Sequence, residues 1–380
     1  MKVLIVGGGI GGLTTALALQ ARGIDYTILE QSSELREVGA GITLWANAVK
    51  VLDQIGFGVG AKIRALKPEQ VPTAMRDHHG RILAEIDAGG MERAFGAPAV
   101  ALHRADLLRL LAEPIDAKRL VLGARCATIE SDATKVKVVC ANGHVESGDA
   151  LVGADGFHSV VRTHLFGEQP ARYAGYTSWR GVSPHSHRQL PAGEFWGRGS
   201  RCGLVPLNGN RTYWFAAKDA PADTLVPVES LHRTLLAEFG AWHPDLRTLI
   251  ETTPPSAIIQ RHLCDRLPLK QWSFGRITLL GDAAHPMTPN LGQGACQAME
   301  DAAVLAQCLA EPNVGVEAAL DRYQRVRIPH TTRVVNESWK FGLLGHWTNP
   351  LACGLRNFAV RVMPESMRLR HIAWVMGHEV

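Results

Sequence analysis

A glycine-rich loop near the N-terminus is the feature that most constrains how this chain folds. The apolar run Val-Leu-Ile-Val precedes the sequence Gly-Gly-Gly-Ile-Gly-Gly at residues 7–12, and a second segment rich in alanine and leucine follows it. This order predicts a buried β-strand, a tight turn and an α-helix. We expect Gly7 to permit the turn, Gly9 to allow a ligand close to the backbone, and Gly12 to let the helix pack near the strand.

An acidic residue follows the next apolar run. Residues 26–29 are Tyr-Thr-Ile-Leu, and Glu30 comes directly after them, eighteen residues beyond Gly12. In a dinucleotide-binding βαβ unit the helix N-terminus binds the pyrophosphate, and a carboxylate at this position accepts hydrogen bonds from a ribose. The complete pattern therefore predicts a Rossmann-like dinucleotide-binding domain.

Two other interpretations of the N-terminus are weaker. A secretory signal peptide would explain Lys2 before an apolar stretch and the Ala-Leu-Ala sequence at residues 16–18. Five glycines interrupt that stretch, however, and it leads directly into a second strand. A glycine-rich turn in a sheet that binds no nucleotide leaves Glu30 unexplained.

Composition narrows the class of protein. The chain has 380 residues, 46% of them hydrophobic and 20% charged, which is typical of a globular protein with about two domains. The formal net charge of +4 is spread along the chain without a basic run, so we expect no nucleic-acid partner. No apolar segment is long enough to predict a transmembrane segment.

The cysteines and histidines indicate neither disulfides nor a metal site. Seven cysteines are scattered and never spaced as C-x-x-C, which predicts reduced thiols and a cytoplasmic location. Four histidines lack a carboxylate or cysteine at ligand spacing, so we expect them in turns or on the surface: His78, His79, His185 and His187. No metal ion is predicted.

The sequence in the middle of the chain predicts a second unit that is rich in β-strands. Residues 73–77 and 81–87 predict a hairpin, and the Asn-Gly pair at residues 142–143 predicts another between short strands. A helix is predicted to begin at Leu102. Residues 173–259 are rich in aromatic and β-forming residues and predict a twisted antiparallel sheet with one helix at residues 228–239.

Two later apolar runs also end in glycine and an acid. One reaches Gly-Ala-Asp-Gly at residues 153–156, and the other reaches Gly-Asp at residues 281–282 before a helix at residues 295–309. Helices are predicted to continue to the end of the chain, including a segment around residues 355–376 with arginines on one side. We expect the apolar residues of these C-terminal helices to be buried against the first domain; contact with lipid is the alternative.

Together these motifs resemble the FAD-dependent aromatic hydroxylases, the single-component flavoprotein monooxygenases of the para-hydroxybenzoate hydroxylase fold. The resemblance covers nearly the whole chain and rests on G-x-G-x-x-G, on residues 153–156 with Ser159 and Arg162, and on residues 281–294. It implies an α/β fold in which a Rossmann-like FAD-binding domain is interleaved with an antiparallel β-sheet substrate domain. The implied boundaries are 1–70, 98–170 and 268–325 for FAD binding, 71–97 and 171–267 for the substrate domain, and 326–380 for C-terminal helices.

The resemblance also implies a set of cofactor contacts. Asp155 would serve both FAD and the nicotinamide cofactor, and the helix after Pro289 would stabilise negative charge on a reduced flavin. The full implied set is Gly7, Gly9, Gly12, Glu30, Gln31, Arg36, Gly41, Arg104, Asp155, Gly281, Asp282, Gly292 and Gly294.

The implied reaction is an NAD(P)H-dependent hydroxylation of an aromatic or heteroaromatic small molecule. In the family, NADPH or NADH reduces FAD, dioxygen adds to give a flavin hydroperoxide, and its distal oxygen attacks the substrate. An FAD-dependent epoxidase and a non-oxygenating oxidoreductase of the same fold are the alternatives. We expect a monomer or homodimer.

Four residues are candidates for the catalytic side of the site: Arg201, Tyr213, Pro289 and Asn290. Arg201 and Tyr213 match positions where the family's urate hydroxylases have arginine and tyrosine, but Asn290 stands where those enzymes have aspartate. Urate is therefore not the expected substrate. Arg201 either binds a carboxylate or carbonyl group or is a solvated strand residue. Trp179, Trp196 and Trp214 either line the pocket or belong to the core.

Overall fold

The N-terminal apolar run forms the middle strand of a parallel sheet. The computed structural model describes residues 1–35, 40–68, 72–184, 192–222 and 224–380. Five strands form the parallel sheet, in the order β17 (Ile277–Leu279), β11 (Ala150–Gly153), β1 (Lys2–Val6), β2 (Asp25–Leu29) and β7 (Leu120–Val121). All three glycine-and-acid motifs therefore lie at the carboxyl edge of adjacent strands, where open α/β sheets bind ligands.

Helices cover this sheet and one side of the second sheet. Within the described ranges they are α1 (Ile10–Gln20), α2 (Ala46–Ile55), α3 (Val59–Ala65), α4 (Ala88–Phe95), α5 (Arg104–Ala112), α6 (Val160–Phe166), α7 (Leu231–Phe239), α8 (Pro244–Thr252), α9 (Gly294–Leu309), α10 (Val316–Gly345), α11 (Pro350–Val362) and α12 (Glu365–Met376). Helix α1 is buried almost all round, and α9 packs against it at Gly11, where a Cβ would lie 3.4 Å from Ala298 Cβ of α9. The same Cβ would lie 2.7 Å from Leu280 Cδ2, just after β17.

A larger mixed sheet forms the second layer. Its order is β16 (Ile259–Asp265), β12 (Arg172–Ser183), β15 (Arg211–Asp219), β14 (Ser200–Leu207), β13 (Ala192–Trp196), β4 (Thr73–Asp77) and β5 (Ile82–Ile86). All neighbours are antiparallel except β13 and β4. Because side chains alternate along a strand, one face of this sheet packs on α7 and α8 while the other faces the parallel-sheet half.

The remaining strands of the described residues form two smaller sheets. One contains β10 (Val145–Gly148), β9 (Val136–Cys140) and β8 (Cys126–Ser131); the other pairs β3 (Gly41–Leu44) with β6 (Val100–His103). The hairpins predicted at residues 73–87 and around residues 142–143 are both confirmed. The helix predicted from Leu102 is wrong in its start: Leu102 and His103 pair with β3, and α5 begins only at Arg104.

The C-terminal region is helical but is not one helix. Pro364 separates α11 from α12, because proline lacks the amide that a helix interior requires. The helices predicted up to the end of the chain, including the segment around residues 355–376, are confirmed, and this segment is divided at Pro364. Among the helices of the described ranges, none combines the length and the apolar character needed to cross a bilayer.

Candidate functional site

The first glycine loop has the geometry expected of a phosphate-binding turn. Gly7 has φ 109°, and a Cβ there would lie 2.5 Å from the carbonyl oxygen of Ala154, so this glycine lets β1 and β11 approach each other. A Cβ on Gly12 would lie 1.9 Å from the Gly7 carbonyl oxygen. Gly9 differs, because a Cβ there would meet no atom within 4 Å. The internal packing requires Gly7 and Gly12, whereas Gly9 borders open space at the start of α1.

Glu30 is held by the backbone of the same loop. Its Oε2 accepts a hydrogen bond from the Gly8 amide at 2.6 Å, and its Oε1 accepts one from the Ser32 amide at 2.8 Å. These bonds fix the carboxylate beside the glycine loop. Gln31, which follows Glu30 in the chain, is exposed. Arg36 lies outside the described residues.

Asp155 lies in the loop before α6, the helix that follows the second motif. Its carboxylate accepts hydrogen bonds from Ser159 Oγ and from the amides of Val160 and Val161, the latter two at 2.7 and 3.2 Å. Burial nevertheless raises the pKa of Asp155. The side chain thus stabilises the N-terminus of α6 while lying next to Gly7.

Arg162 connects the second motif to the third. Its Nη1 donates to the carbonyl oxygens of Ala283 and Ala284, both at 3.0 Å, and its side chain is buried. Burial, together with the nearby Arg266, lowers the pKa of Arg162 to about 10. The arginine therefore satisfies backbone oxygens that would otherwise be buried without partners.

The third motif places the carboxyl group of Asp282 at the end of β17. Asp282 is exposed at its surface yet has protein around it, as in the wall of a cleft, and this desolvation raises the pKa of Asp282 against the opposing attraction of His285 and Arg104. Arg104 is exposed at the first residue of α5, with its amide bonded to the Ala40 carbonyl. Arg104 is thus near enough to Asp282 to act on its charge, although the two residues are far apart in sequence.

The loop after Pro289 leads directly into α9. Pro289 is exposed in a single 3₁₀ turn, and Gly292 follows with a left-handed φ of 63°. A Cβ on Gly292 would lie 2.9 Å from Trp45 Nε1, and one on Gly294 would lie 3.7 Å from Asp282 Oδ1. The start of α9 therefore faces the same side as the start of α1, and both helix ends favour a negative group there.

A buried network of ionic hydrogen bonds holds the loop that carries Asp282 against helices α9 and α10. Asp301 Oδ2 accepts hydrogen bonds from His285 Nε2 at 2.6 Å and from the Gly281 amide at 3.1 Å. Asp301 Oδ1 accepts one from Arg327 Nε at 2.7 Å. Burial alone would raise the pKa of Asp301, but His285 and Arg327 lower it to about 2. His285 therefore has a structural position in this network.

Arg201 and Asn290, two of the four catalytic candidates, are in direct contact. Arg201 lies on β14 with its side chain buried, and Nη2 donates to Asn290 Oδ1. Asn290 Nδ2 lies 2.9 Å from each of three acceptors, Tyr176 Oη, Thr288 Oγ1 and the Ser338 carbonyl oxygen, which share its two N–H donors. The interpretation of Arg201 as a solvated strand residue is therefore wrong. Arg201 Nε and Nη1 are buried without a hydrogen-bond partner.

Tyr213, a third candidate, lies farther along the same sheet face. A Cβ on Gly41 would lie 2.4 Å from Tyr213 Cγ, so this glycine allows the ring to pack directly on β3. Phe215 lies between Tyr213 and Arg201, and Gly203 opposite it makes room for the ring, since a Cβ there would lie 2.2 Å from Phe215 Cε1. Arg201 and Tyr213 therefore flank an aromatic floor.

The three tryptophans have different positions. Trp179 and Trp214 belong to the core beneath α7 and α8, and Trp214 Nε1 donates to Thr253 Oγ1 at 2.8 Å. Trp196 points to the other face but is fully buried against Phe341 and Arg356. The interpretation as core residues is correct for Trp179 and Trp214, whereas Trp196 is buried on the sheet face that carries Arg201.

Histidines are brought together where the sequence does not indicate it. His78 and His79 lie in the predicted turn, whereas residues 185 and 187 fall outside the described ranges. Glu300, His330 and His378 each place one ligand-type atom within 4.8 Å of the others. Glu300 Oε2 already accepts a hydrogen bond from Arg327 at 2.7 Å, so an arginine compensates its charge.

Sequence reasoning missed Asp301, Arg327 and Tyr176. A usable signal exists for Asp301, because two adjacent acids interrupt an otherwise apolar helix, and buried acids require partners. Arg327 and Tyr176 have no comparable local signal, since their roles depend on contacts with α9 and the residue-290 turn.

The fold and these loops define a dinucleotide-binding protein with a substrate sheet over the carboxyl edge of its strands. The open space at Gly9, the two helix ends and the position of Asp282 beside Gly294 all fit a dinucleotide such as FAD. Comparison with known families agrees: residues 1–338 match the family described as FAD binding domain. The chain belongs to this family and is an FAD-dependent monooxygenase of the aromatic hydroxylase type, a class that uses NAD(P)H and dioxygen as co-substrates.

Similar proteins match over nearly their full length. Aurachin C monooxygenase/isomerase of Stigmatella aurantiaca is 42% identical over 96% of this chain and 94% of its own. 3-Hydroxybenzoate 6-hydroxylase of Polaromonas naphthalenivorans is 37% identical over 91% and 88%, respectively. The crystal structure of Klebsiella pneumoniae HpxO complexed with FAD and uric acid is 29% identical, with a TM-score of 0.92 over 99% of this chain and 96% of that one.

Proposed function

We propose that this enzyme hydroxylates an aromatic or heteroaromatic ring that carries an oxygen substituent, and that Arg201 binds this oxygen. The observation that carries the proposal is the state of the Arg201 side chain, which is 4% exposed while Nε and Nη1 lack hydrogen-bond partners. A buried guanidinium with unmet donors is costly, and an oxygen of the substrate would satisfy them.

The surroundings of Arg201 favour a negative or partly negative oxygen. The nearest carboxylate is Glu194, whose Oε2 lies 3.6 Å from Nη1, which is too far for a good hydrogen bond. Asn290 accepts a hydrogen bond from Nη2, but its amide is neutral and does not compensate the positive charge of the arginine. Charge-assisted hydrogen bonds to a phenolate, enolate or carboxylate oxygen are about twice as strong as neutral ones.

The relatives support a substrate of this kind. The 3-hydroxybenzoate acted on by one relative and the uric acid bound by another both carry oxygens on or beside the ring. Uric acid itself is not the substrate that we propose, because Asn290 has no carboxylate to remove a proton from it.

The dinucleotide would lie along the carboxyl edge of the parallel sheet. When bound, FAD would accept electrons from NADH or NADPH and activate dioxygen. The glycine loop and the start of α1 would bind its pyrophosphate, and Glu30 its ribose. The start of α9 would stabilise negative charge, while Tyr213 and Phe215 would exclude water from the substrate side.

The proposed function also implies a division of the chain into domains. We infer an FAD-binding part at 1–70, 98–170 and 268–325, a substrate part at 71–97 and 171–267, and helices at 326–380. A cytoplasmic location is supported by seven free cysteines, six of them buried. A monomer or homodimer stays a prediction.

The test compares two arginines of neighbouring sequence. Arg201→Gln should raise KM for a ring-oxygenated substrate about 10- to 100-fold, because each lost charge-assisted hydrogen bond has that effect. Arg198→Gln, at an exposed site, should leave KM unchanged. NAD(P)H oxidation would be measured with 4-quinolone, 3-hydroxybenzoate and their analogues without the ring oxygen, and products by mass spectrometry.

Two results would contradict the proposal. Equal stimulation by the deoxygenated analogues would show that the ring oxygen is not recognised. Substrate-stimulated NAD(P)H oxidation without any oxygenated product would favour the non-oxygenating oxidoreductase instead.

A further inference from the structure

Helix α11 presents a row of large apolar side chains to solvent. Leu351 is 85% exposed, Leu355 68%, Phe358 62% and Val362 57%. Their spacing of four, three and four residues puts them on one side of the helix. The expectation that these residues are buried against the first domain is therefore wrong.

The exposed row extends beyond α11. Four neighbouring apolar residues in sequence are also exposed, and with the row they define what we call the C-terminal apolar face: Leu343, Trp347, Leu351, Leu355, Phe358, Val362, Met363 and Met367. Large exposed groups of apolar side chains are uncommon in water and mark contact with a partner or a membrane.

Residues on the opposite side of α11 attach the helix to the rest of the protein, so the attachment does not depend on the apolar face. Arg356 is buried and donates to the carbonyl oxygens of Leu344, Gly345 and Gly197 at 3.1, 3.2 and 3.0 Å. Cys353 is buried beside it. Because these contacts anchor the helix, substitutions in the apolar face should not unfold it.

Positive charge accompanies the apolar face. Residues 341–378 contain four arginines and one glutamate, so one tenth of the chain carries three of its four net positive charges. Arg361 is exposed on α11 beside the row, and Arg370 is exposed one turn beyond Met367 on α12. Exposed leucine, phenylalanine and valine flanked by arginine are the composition of a helix that lies in a membrane interface.

We infer that the C-terminal apolar face docks on an anionic lipid bilayer, with α11 lying in the plane of the membrane surface. The apolar row would enter the boundary between headgroups and acyl chains, and Arg361 and Arg370 would contact anionic headgroups. The protein lies on the bilayer in this arrangement and does not cross it.

A second copy of the chain is the other occupant to consider. A two-fold contact through this face would bring the arginines of both copies toward one another, because the same patch meets itself. Like charges at such short range oppose the contact, whereas anionic lipid compensates them. Charge complementarity therefore favours the bilayer.

The inner side of α11, opposite the docked face, contacts a strand next to the candidate substrate site. The Arg356 guanidinium lies 4.9 Å from the centre of the Trp196 ring, and Trp196 is directly opposite Arg201 in the pairing of β13 with β14. A bilayer on the exposed side of α11 would therefore be separated by this helix from the strands that carry the proposed substrate contact.

The experiment is flotation of the FAD-loaded full chain with vesicles of phosphatidylcholine alone or mixed with phosphatidylglycerol. Binding is expected to the anionic vesicles, and it should weaken as salt rises. The double variant Leu355→Ser/Phe358→Ser should lose about tenfold in affinity for each side chain. Arg361→Glu should weaken binding to anionic vesicles more than to neutral ones.

A matched control and two contrary outcomes complete the design. Leu225→Ser/Leu267→Ser replaces two apolar residues that are 57% and 67% exposed elsewhere, and it should bind like the parent. FAD absorbance and Tm should be unchanged in all variants, which separates this test from that of Arg201. Failure to float with anionic vesicles would overturn the inference. So would a dimer, measured by light scattering, that dissociates in the Leu355→Ser/Phe358→Ser variant.

Discussion

Arg327 Nε donates a hydrogen bond to Asp301 Oδ1 across 2.7 Å, and neither side chain reaches solvent. The other oxygen of Asp301 accepts from His285 and from the Gly281 amide. This pair therefore links α10 to the strand end that presents Asp282. The position of a predicted cofactor residue thus depends on a helix that begins 34 residues later in the sequence.

Replacing Asp301 should destabilise the protein strongly. Asp301→Asn leaves the Arg327 guanidinium buried with Glu300 as its remaining carboxylate, and breaking a buried pair costs about 3 kcal/mol or more. Urea denaturation at pH 7 would measure this change in the free energy of unfolding. Asp321→Asn removes an exposed ion pair with Arg325 on the same helix and should cost less than about 1 kcal/mol. Similar losses in both variants would contradict the argument.

The same carboxylate predicts a pH dependence. The pKa of Asp301 falls from 3.8 to about 2 on folding. A carboxyl group with a depressed pKa binds fewer protons when folded, so its stabilising effect is complete above the higher value and is lost as pH falls through the lower one. The parent should therefore lose more stability than Asp301→Asn between about pH 4 and pH 2. Equal slopes in acid denaturation would show that Asp301 is not responsible.

Two glycines of the first loop should behave differently when changed to alanine. Gly12→Ala forces a Cβ to 1.9 Å from the Gly7 oxygen and should lower the Tm of the apoprotein. Gly9→Ala meets open space and should leave that Tm unchanged while weakening FAD binding at least about tenfold, because the methyl group occupies the space next to the pyrophosphate.

Fluorescence titration with FAD and thermal denaturation of the apoprotein measure the two effects. Gly315→Ala, at another open position before a helix, should change neither quantity. Full FAD affinity in Gly9→Ala would mean that the phosphate does not approach this residue.

Local patterns predicted the nucleotide half of the fold well. The turn, the close strand and the helix start at Gly7, Gly9 and Gly12 follow from steric requirements within a few residues, and the structure has each of them. The start of α5 was predicted two residues early, because the pairing of Leu102 with Ile42 depends on a strand sixty residues away.

The substrate side could be predicted only in part. Whether Arg201 is solvated or buried depends on Asn290 and on the residues of α10 behind it, and strand alternation contains none of that information. The face of α11 shows the opposite difficulty, since the pattern that marks Leu355 and Phe358 as apolar does not distinguish a buried surface from an exposed one.

His330 predicts a second pH effect, at milder acidity. Burial lowers the pKa of His330 from 6.5 to about 4, despite the opposing attraction of Glu300. A neutral histidine with a depressed pKa supports the fold fully above about pH 6.5, and this support is lost as pH falls toward 4. His330→Phe should reduce the change in Tm between these pH values, whereas the exposed His371→Phe should not.

Gly203 offers a test of the aromatic floor between Arg201 and Tyr213. A Cβ on residue 203 would lie 2.2 Å from Phe215 Cε1, so Gly203→Ala should displace the ring into the proposed pocket. We expect KM for the substrate to rise while FAD affinity stays the same, because the change is confined to the sheet face. Adding Phe215→Leu should restore KM in part, since the smaller side chain leaves room for the methyl group. If the double variant is worse than Gly203→Ala alone, the ring contacts the substrate directly; if neither change affects KM, the substrate does not lie on this face.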